Sequence, residues 1–263
     1  MLVFSAFTPH SPLLLPSINK DQAHKVKKTR AAMEQLSRDL YASHPETIIL
    51  ISEHPTSYSQ VFSIAIKDPY TFDLSEFGDF GFTRTLKPDL ELMNELQEDL
   101  RKKEQPVTLT TDAHLHYASA VPLSLLTEHL PQVRLVPITY CDLDAKTHFQ
   151  FGQALKDTIL GSTRRVAVIV AGDMSHTLSS EAPAGFHKAG QWFDNKIQEV
   201  LANKNSAGLL NMNPQMVLDA KQTCYLPLVI LFGLLERISV TPSIISYEHP
   251  FDVGYLVANF EQK

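Results

Sequence analysis

The chain has little cysteine, only Cys141 and Cys224 among 263 residues. Two thiols so far apart argue against a disulfide scaffold. It also lacks a long hydrophobic run. The longest apolar stretch, 225–235, contains Pro227 and falls well short of the roughly 20 residues that cross a bilayer. Positive charge is not in excess: 23 Lys and Arg against 29 Asp and Glu give a formal net charge of −6. That mild acidity argues against a nucleic-acid partner. No basic segment precedes Leu2-Val3-Phe4, and Pro9 and Pro12 follow at once, so the start does not read as a secretion signal. There is no internal repeat, no low-complexity segment and no His-Glu-x-x-His motif of the zinc hydrolases. These absences predict a cytoplasmic protein without a membrane partner.

A hydrophobic fraction of 44% is ordinary for a globular protein with a substantial core. Apolar runs predict strands over 1–7, 46–52, 61–66, 107–110, 134–139, 165–171, 243–247 and 254–260. Helical periodicity predicts helices over 19–42, 88–103, 118–129, 145–160, 185–202, 205–212, 214–220 and 227–237. Pro122 is expected in the first turn of its helix. Segment 69–83, rich in Phe, Asp and Gly without clear periodicity, reads as a loop. Alternating strands and helices without a linker-like break predict one α/β domain over 1–263. Its central sheet is expected to be largely parallel or mixed and flanked by helices.

Three histidine-bearing segments each follow an apolar run: Pro9-His10-Ser11-Pro12, Ser52-Glu53-His54-Pro55 and Gly172-Asp173-Met174-Ser175-His176. One Pro-His near a strand end is ordinarily structural. Three in the same topological place are more telling, because the loops just past the strand ends of an open α/β sheet face the ligand crevice. Imidazole binds transition metals and titrates near neutrality. His114 and His116 alternate in Asp112-Ala113-His114-Leu115-His116-Tyr117 and would share a face if extended. His24, His129, His148 and His187 read most simply as surface residues.

The order of these motifs resembles the class III extradiol ring-cleavage dioxygenase superfamily, the LigB-type catalytic subunits with Memo-like relatives. The residues carrying the resemblance are Pro9-His10-Ser11-Pro12-Leu13-Leu14, Ser52-Glu53-His54-Pro55, Val121-Pro122-Leu123, Gly172-Asp173-Met174-Ser175-His176 and the closing Pro250-Phe251-Asp252-Val253-Gly254-Tyr255. The resemblance implies a non-haem iron(II) site held by two histidines, His10 and His54, and one carboxylate. It implies a small catechol-like aromatic substrate and dioxygen as partners, and His176 as a proton-transfer group beside the metal.

Two departures stand out. Where the family places a ligand glutamate, this chain has Gln222, in Gln222-Thr223-Cys224-Tyr225-Leu226-Pro227. A neutral amide is a poor substitute for an anionic oxygen on iron(II). Where the family has Asp-His-Gly, this chain has His116-Tyr117-Ala118, so that either His116 or the Tyr117 hydroxyl could serve. Cys224 could supply a thiolate, as in Memo-like relatives, favouring softer or redox-active ions. Iron(II) is the first expectation, zinc or copper are alternatives, and loss of the metal is the remaining one. Glu53 and Glu248 are the other carboxylates near matched motifs, and Glu53 should point away from His54 if the segment stays extended. Three readings compete: an extradiol dioxygenase, a Memo-like protein that kept the pocket but lacks the carboxylate ligand, and a zinc hydrolase. A homodimer is compatible with the surface pattern.

Overall fold

The computed structural model describes residues 1–55, 57–111 and 115–263. Its centre is four mutually parallel strands, all rich in apolar residues: β1 (Leu2–Thr8), β2 (Thr47–Ser52), β7 (Arg134–Thr139) and β8 (Val166–Ala171). They lie side by side in the order β7-β2-β8-β1. Every residue of β2 and β8 is buried, as expected where helices cover both faces of a parallel sheet. At one edge β10 (Tyr255–Gln262) runs antiparallel to β1, and β9 (Val240–Glu248) antiparallel to β10. At the other, β3 (Phe62–Ala65) pairs antiparallel with the end of β7 and parallel with β6 (Val107–Thr110). The sheet is therefore mixed, with ten strands and eight α-helices among the described residues.

Segment 69–83, expected as a loop, is mostly a hairpin. It pairs β4 (Tyr70–Leu74) with β5 (Asp79–Pro88). Tyr70, Phe72 and Leu74 face inward while Thr71 and Asp73 are half-buried, a period of two too short to stand out among the aspartates and glycines. Gly78 supplies the left-handed turn at φ 84°. Lys87 and Pro88 then run beside Arg134 and Leu135 and join the hairpin to the main sheet.

The helices are α1 (Lys27–Ala42), α2 (Leu90–Lys102), α3 (Tyr117–Leu126), α4 (Ala145–Gly161), α5 (Lys188–Ala202), α6 (Ser206–Leu210), α7 (Pro214–Asp219) and α8 (Tyr225–Leu234). Pro122 is in the second turn of α3, not the first. Asp89 and Asp144 cap α2 and α4, accepting from the backbone N–H of Leu92 (3.1 Å) and Thr147 (2.7 Å). Glu248 does similar work for α1, accepting from Thr29 N–H and Oγ1 at 2.8 and 2.7 Å. α1 packs on α3, β9 and β10, and α8 packs on α4 and β8. Helix α8 is apolar all round and buried on every residue except Leu226, as expected of a helix inside the protein. His148, expected at the surface, is buried in α4 on the same face as Phe151, Leu155 and Ile159, and its ring meets Phe62 at 4.9 Å.

The α4–α8 crossing brings backbone against backbone. A Cβ on Gly152 would meet the Ile230 carbonyl oxygen at 2.0 Å. Gly152→Ala is therefore expected to destabilise the protein by roughly 1–3 kcal/mol, lowering Tm by a few degrees for each kcal/mol lost. At the end of the same helix a Cβ on Gly161 would meet nothing within 4 Å, and Gly161→Ala should leave Tm unchanged or slightly raised. Thermal melts of the two variants check this.

Candidate active site at the strand-end rim

Parallel pairing brings the ends of the central strands level: Thr8 beside Ala171, Ile51 beside Val170, Ser52 beside Thr139. His10, Glu53, His54, Tyr140, Asp173 and His176 all follow within five residues of those ends. The loops are held to one another by Asp173. Its Oδ1 accepts the His10 backbone N–H at 3.0 Å. Its own N–H donates to Thr223 Oγ1 at 2.9 Å, and its carbonyl accepts Thr223 N–H at 3.0 Å. A Cβ on Gly172 would meet Cys224 Cα at 2.6 Å and the Thr223 carbonyl at 2.8 Å. Only glycine lets the exit of β8 lie so close to the turn that opens α8.

The His10 ring is buried at the centre of this cluster. Its Nε2 is 3.5 Å from Glu53 Oε1, 3.5 Å from Thr223 Oγ1 and 3.8 Å from Asp173 Oδ2. Burial lowers its pKa to about 4, against the smaller opposing pull of Glu53, so the ring is neutral at pH 7. The oxygens around Nε2 favour the proton there, and Nδ1 is buried without a hydrogen-bond partner among the described residues. Tyr117 stands edge-on to His10 (centroids 5.7 Å) and donates from Oη to Glu53 Oε1 at 3.4 Å. Burial, then the Glu53 carboxylate, pushes the Tyr117 phenol up to about 12. Tyr140 donates to the Thr223 carbonyl at 3.4 Å.

The other histidines continue away from this centre. His116 is 4.1 Å from the Tyr117 ring, and His54 is 5.8 Å from His116. His54 lines a cavity of about 500 Å³ between the ends of β2, β3, β6 and β7. At its floor Ser52 and Ser119 share a hydroxyl–hydroxyl bond of 2.7 Å. His176 is anchored through its backbone to Ala220 and Ala184. Its Nδ1 is buried without a partner among the described residues, and its ring lies close enough to Asp173 to oppose the upward push of burial on that carboxyl. His114 lies outside the described residues.

Gln222 and Cys224 take other positions. Gln222 Oε1 accepts the Tyr225 backbone N–H at 2.7 Å and so caps α8. Cys224 is fully buried with Sγ 3.7 Å from Met174 Sδ, and burial pushes its thiol pKa well up, away from thiolate. The residue that the α8 turn presents to His10 is Thr223, between them. Sequence reasoning missed Thr223 because a threonine carries no chemical signal of its own. It missed Asp173 as a buried anchor because a Gly-Asp pair reads as a turn.

An iron(II) centre that draws its carboxylate from the α8 turn, as the resemblance implies, does not fit these residues. The turn that opens α8 presents a neutral hydroxyl to Nε2, and the carboxylate at the same 3.5 Å, Glu53, comes from the exit of β2 instead. No group of three or more His, Cys, Asp or Glu side chains among the described residues is disposed to hold a metal. The arrangement can instead hold a polar ligand and exchange protons through a neutral imidazole, a phenol and two carboxylates.

A family model for the catalytic LigB subunit of aromatic ring-opening dioxygenase matches residues 5–258. Protein CA_C1420 of Clostridium acetobutylicum is 25% identical over 262 residues, covering 96% of this chain and 56% of that protein. The chain thus spans about half the length of the curated relative it matches. The crystal structure of uncharacterized protein JW3007 from Escherichia coli K12 superposes with a TM-score of 0.65, covering 98% of this chain and 99% of that one, at 15% identity. That likeness is one of fold. No helix among the described residues is long and apolar enough to cross a membrane.

Behind the 172–176 loop, Asp194 is buried, accepting from Ser175 N–H at 2.9 Å and from Tyr247 Oη at 2.6 Å. Burial pushes its carboxyl up to about 6, against those two hydrogen bonds. The folded state therefore holds this proton more tightly than the unfolded chain, whose carboxyl titrates near 3.8. Stability from this group is present below about pH 4 and lost as pH rises through about 6. Asp194→Asn removes that dependence. Relative to the variant, the parent protein should lose roughly 2–3 kcal/mol between pH 4 and pH 8, measured by urea unfolding at both pH values.

Proposed function

The chain belongs to the LigB family of aromatic ring-opening dioxygenase catalytic subunits, and from that premise we propose that its rim binds a small hydroxylated aromatic molecule and manages its protons without a family-type iron(II) centre. The observation that carries this reading is the neutral Thr223 hydroxyl 3.5 Å from His10 Nε2, with the Gln222 amide turned away to cap α8. The ligand side is supported by the cavity beside His54, whose about 500 Å³ is within the usual range for a small-molecule site. The whole chain, 1–263, acts as one unit in this reading.

Each residue has a role here. His10, neutral at pH 7 because it is buried, exchanges a hydrogen bond with a phenolic oxygen. Glu53 is the partly exposed carboxylate that takes up a proton, reached directly or through the Tyr117 hydroxyl. His176 serves as a second proton acceptor beside Asp173, and His54 borders the ring, with the His116 ring 5.8 Å from that of His54. The competing reading within the family, iron(II)-dependent extradiol cleavage with dioxygen, needs an anionic ligand that the α8 turn does not supply and would have to draw it from Glu53 or Asp173. A zinc or copper site that used the Cys224 thiolate would work against the burial that holds this thiol protonated.

Anaerobic iron(II) titration, followed by oxygen-electrode assays with catechol, tests the proposal. The parent protein is expected to bind iron(II) substoichiometrically and to consume no oxygen above background. Thr223→Glu should raise iron(II) affinity about tenfold or more, the equivalent of about 1.4 kcal/mol. Gln222→Glu should change it little, because that side chain is committed to the helix. Tight iron(II) binding with ring-opened product from the parent protein would refute the reading.

A further inference from the structure

The cavity beside His54 has a chemical character that the family relationship does not specify. Its polar lining is dominated by hydroxyls, including Ser52, Ser63, Thr110, Ser119 and Thr139, with Tyr58 at its exposed edge. Among the described residues it has no lysine, arginine, aspartate or glutamate. The charged groups that bear on the adjoining tyrosines all have one sign. Glu53, Asp173 and Glu76 act on Tyr117, and Glu53 and Asp142 on Tyr140. Beside these acidic groups the lining offers one imidazole, His54, and no lysine or arginine among the described residues.

We propose that this site selects an uncharged hydroxylated ring and rejects a ring that carries a carboxylate. The inference rests on the rim being a ligand site, as argued above. A carboxylate leaving water for this cavity would exchange its hydration for a few hydroxyl donors and the His54 imidazole, and gain no lysine or arginine counter-charge. It would also approach Glu53 in a medium of reduced dielectric, where like charges repel more strongly than in water. An uncharged diol meets neither cost. Its hydroxyls can donate and accept among serine and threonine hydroxyls, which do both, while its ring packs on the apolar part of the lining.

The test is isothermal titration of the full-length protein at pH 7.5 with catechol and with 3,4-dihydroxybenzoate, rings that differ only in the carboxylate. Catechol should bind at least about tenfold more tightly. Raising the ionic strength should strengthen dihydroxybenzoate binding by screening repulsion and leave catechol unchanged. Tyr58→Lys, at an exposed position that tolerates charge, should bring the two ligands to within a few-fold of each other. Equal or tighter binding of dihydroxybenzoate by the parent protein would overturn the selectivity while leaving the ligand site standing. Binding of neither ring would overturn both.

Discussion

The hydrogen bond from the His10 backbone N–H to the Asp173 carboxylate is the constraint from which the rest of the rim follows. Asp173 ties the exits of β1 and β8 to the turn into α8. It is buried, and a buried carboxylate is costly unless its oxygens are satisfied. Here much of the satisfaction comes from backbone N–H groups, which cannot move without moving the strand ends. The carboxylate thus fixes where the His10 ring sits. The same burial that strains Asp173 keeps the imidazole neutral, so the rim combines a fixed negative side with an uncharged centre. Glu53, Tyr117 and Thr223 are arranged around that centre.

The parts of the fold held by many residues acting alike were legible in the sequence. The runs 47–52 and 166–171 are so rich in Ile and Val that little besides a buried parallel strand suits them. The amphipathic spacing of Leu92, Leu96 and Leu100 points in the same way to a helix. The hairpin at 70–88 was not legible, because three inward residues alternating with polar ones are too few to outweigh the Gly and Asp around them. The site was legible only in part. His10, the Glu53-His54 pair and His176 could be placed at strand ends because the strands themselves could. Which side chain turns inward at an α8 entry of three consecutive polar or small residues, Gln222-Thr223-Cys224, depends on one helix cap and one sulfur contact. Neither has a sequence signature. His148 went astray for a related reason: a histidine in a polar stretch looks solvated, although its phase on α4 puts it in line with Phe151 and Leu155.

Family membership and donor chemistry carry different weight here. The match over 5–258 and the shared fold with a structure at 15% identity speak for architecture: a parallel sheet whose strand ends converge on a crevice. Architecture of this kind hosts more than one chemistry, because function lies in the few side chains added to it. In this chain those side chains are an imidazole with a hydroxyl, Thr223, and a carboxylate, Glu53, each 3.5 Å from its Nε2.

The hydroxyl pair at the cavity floor, Ser52 with Ser119, has no fixed direction, since either oxygen can be the donor. Reversing it requires only two rotations about C–O bonds and shifts no heavy atom. The floor can therefore offer a lone pair at one moment and a proton at the next, adapting to whichever face of a guest arrives. The neighbouring loops around His10 have no such freedom, pinned as they are by backbone bonds. A molecule entering here meets one boundary that adjusts to it and another to which it must adjust.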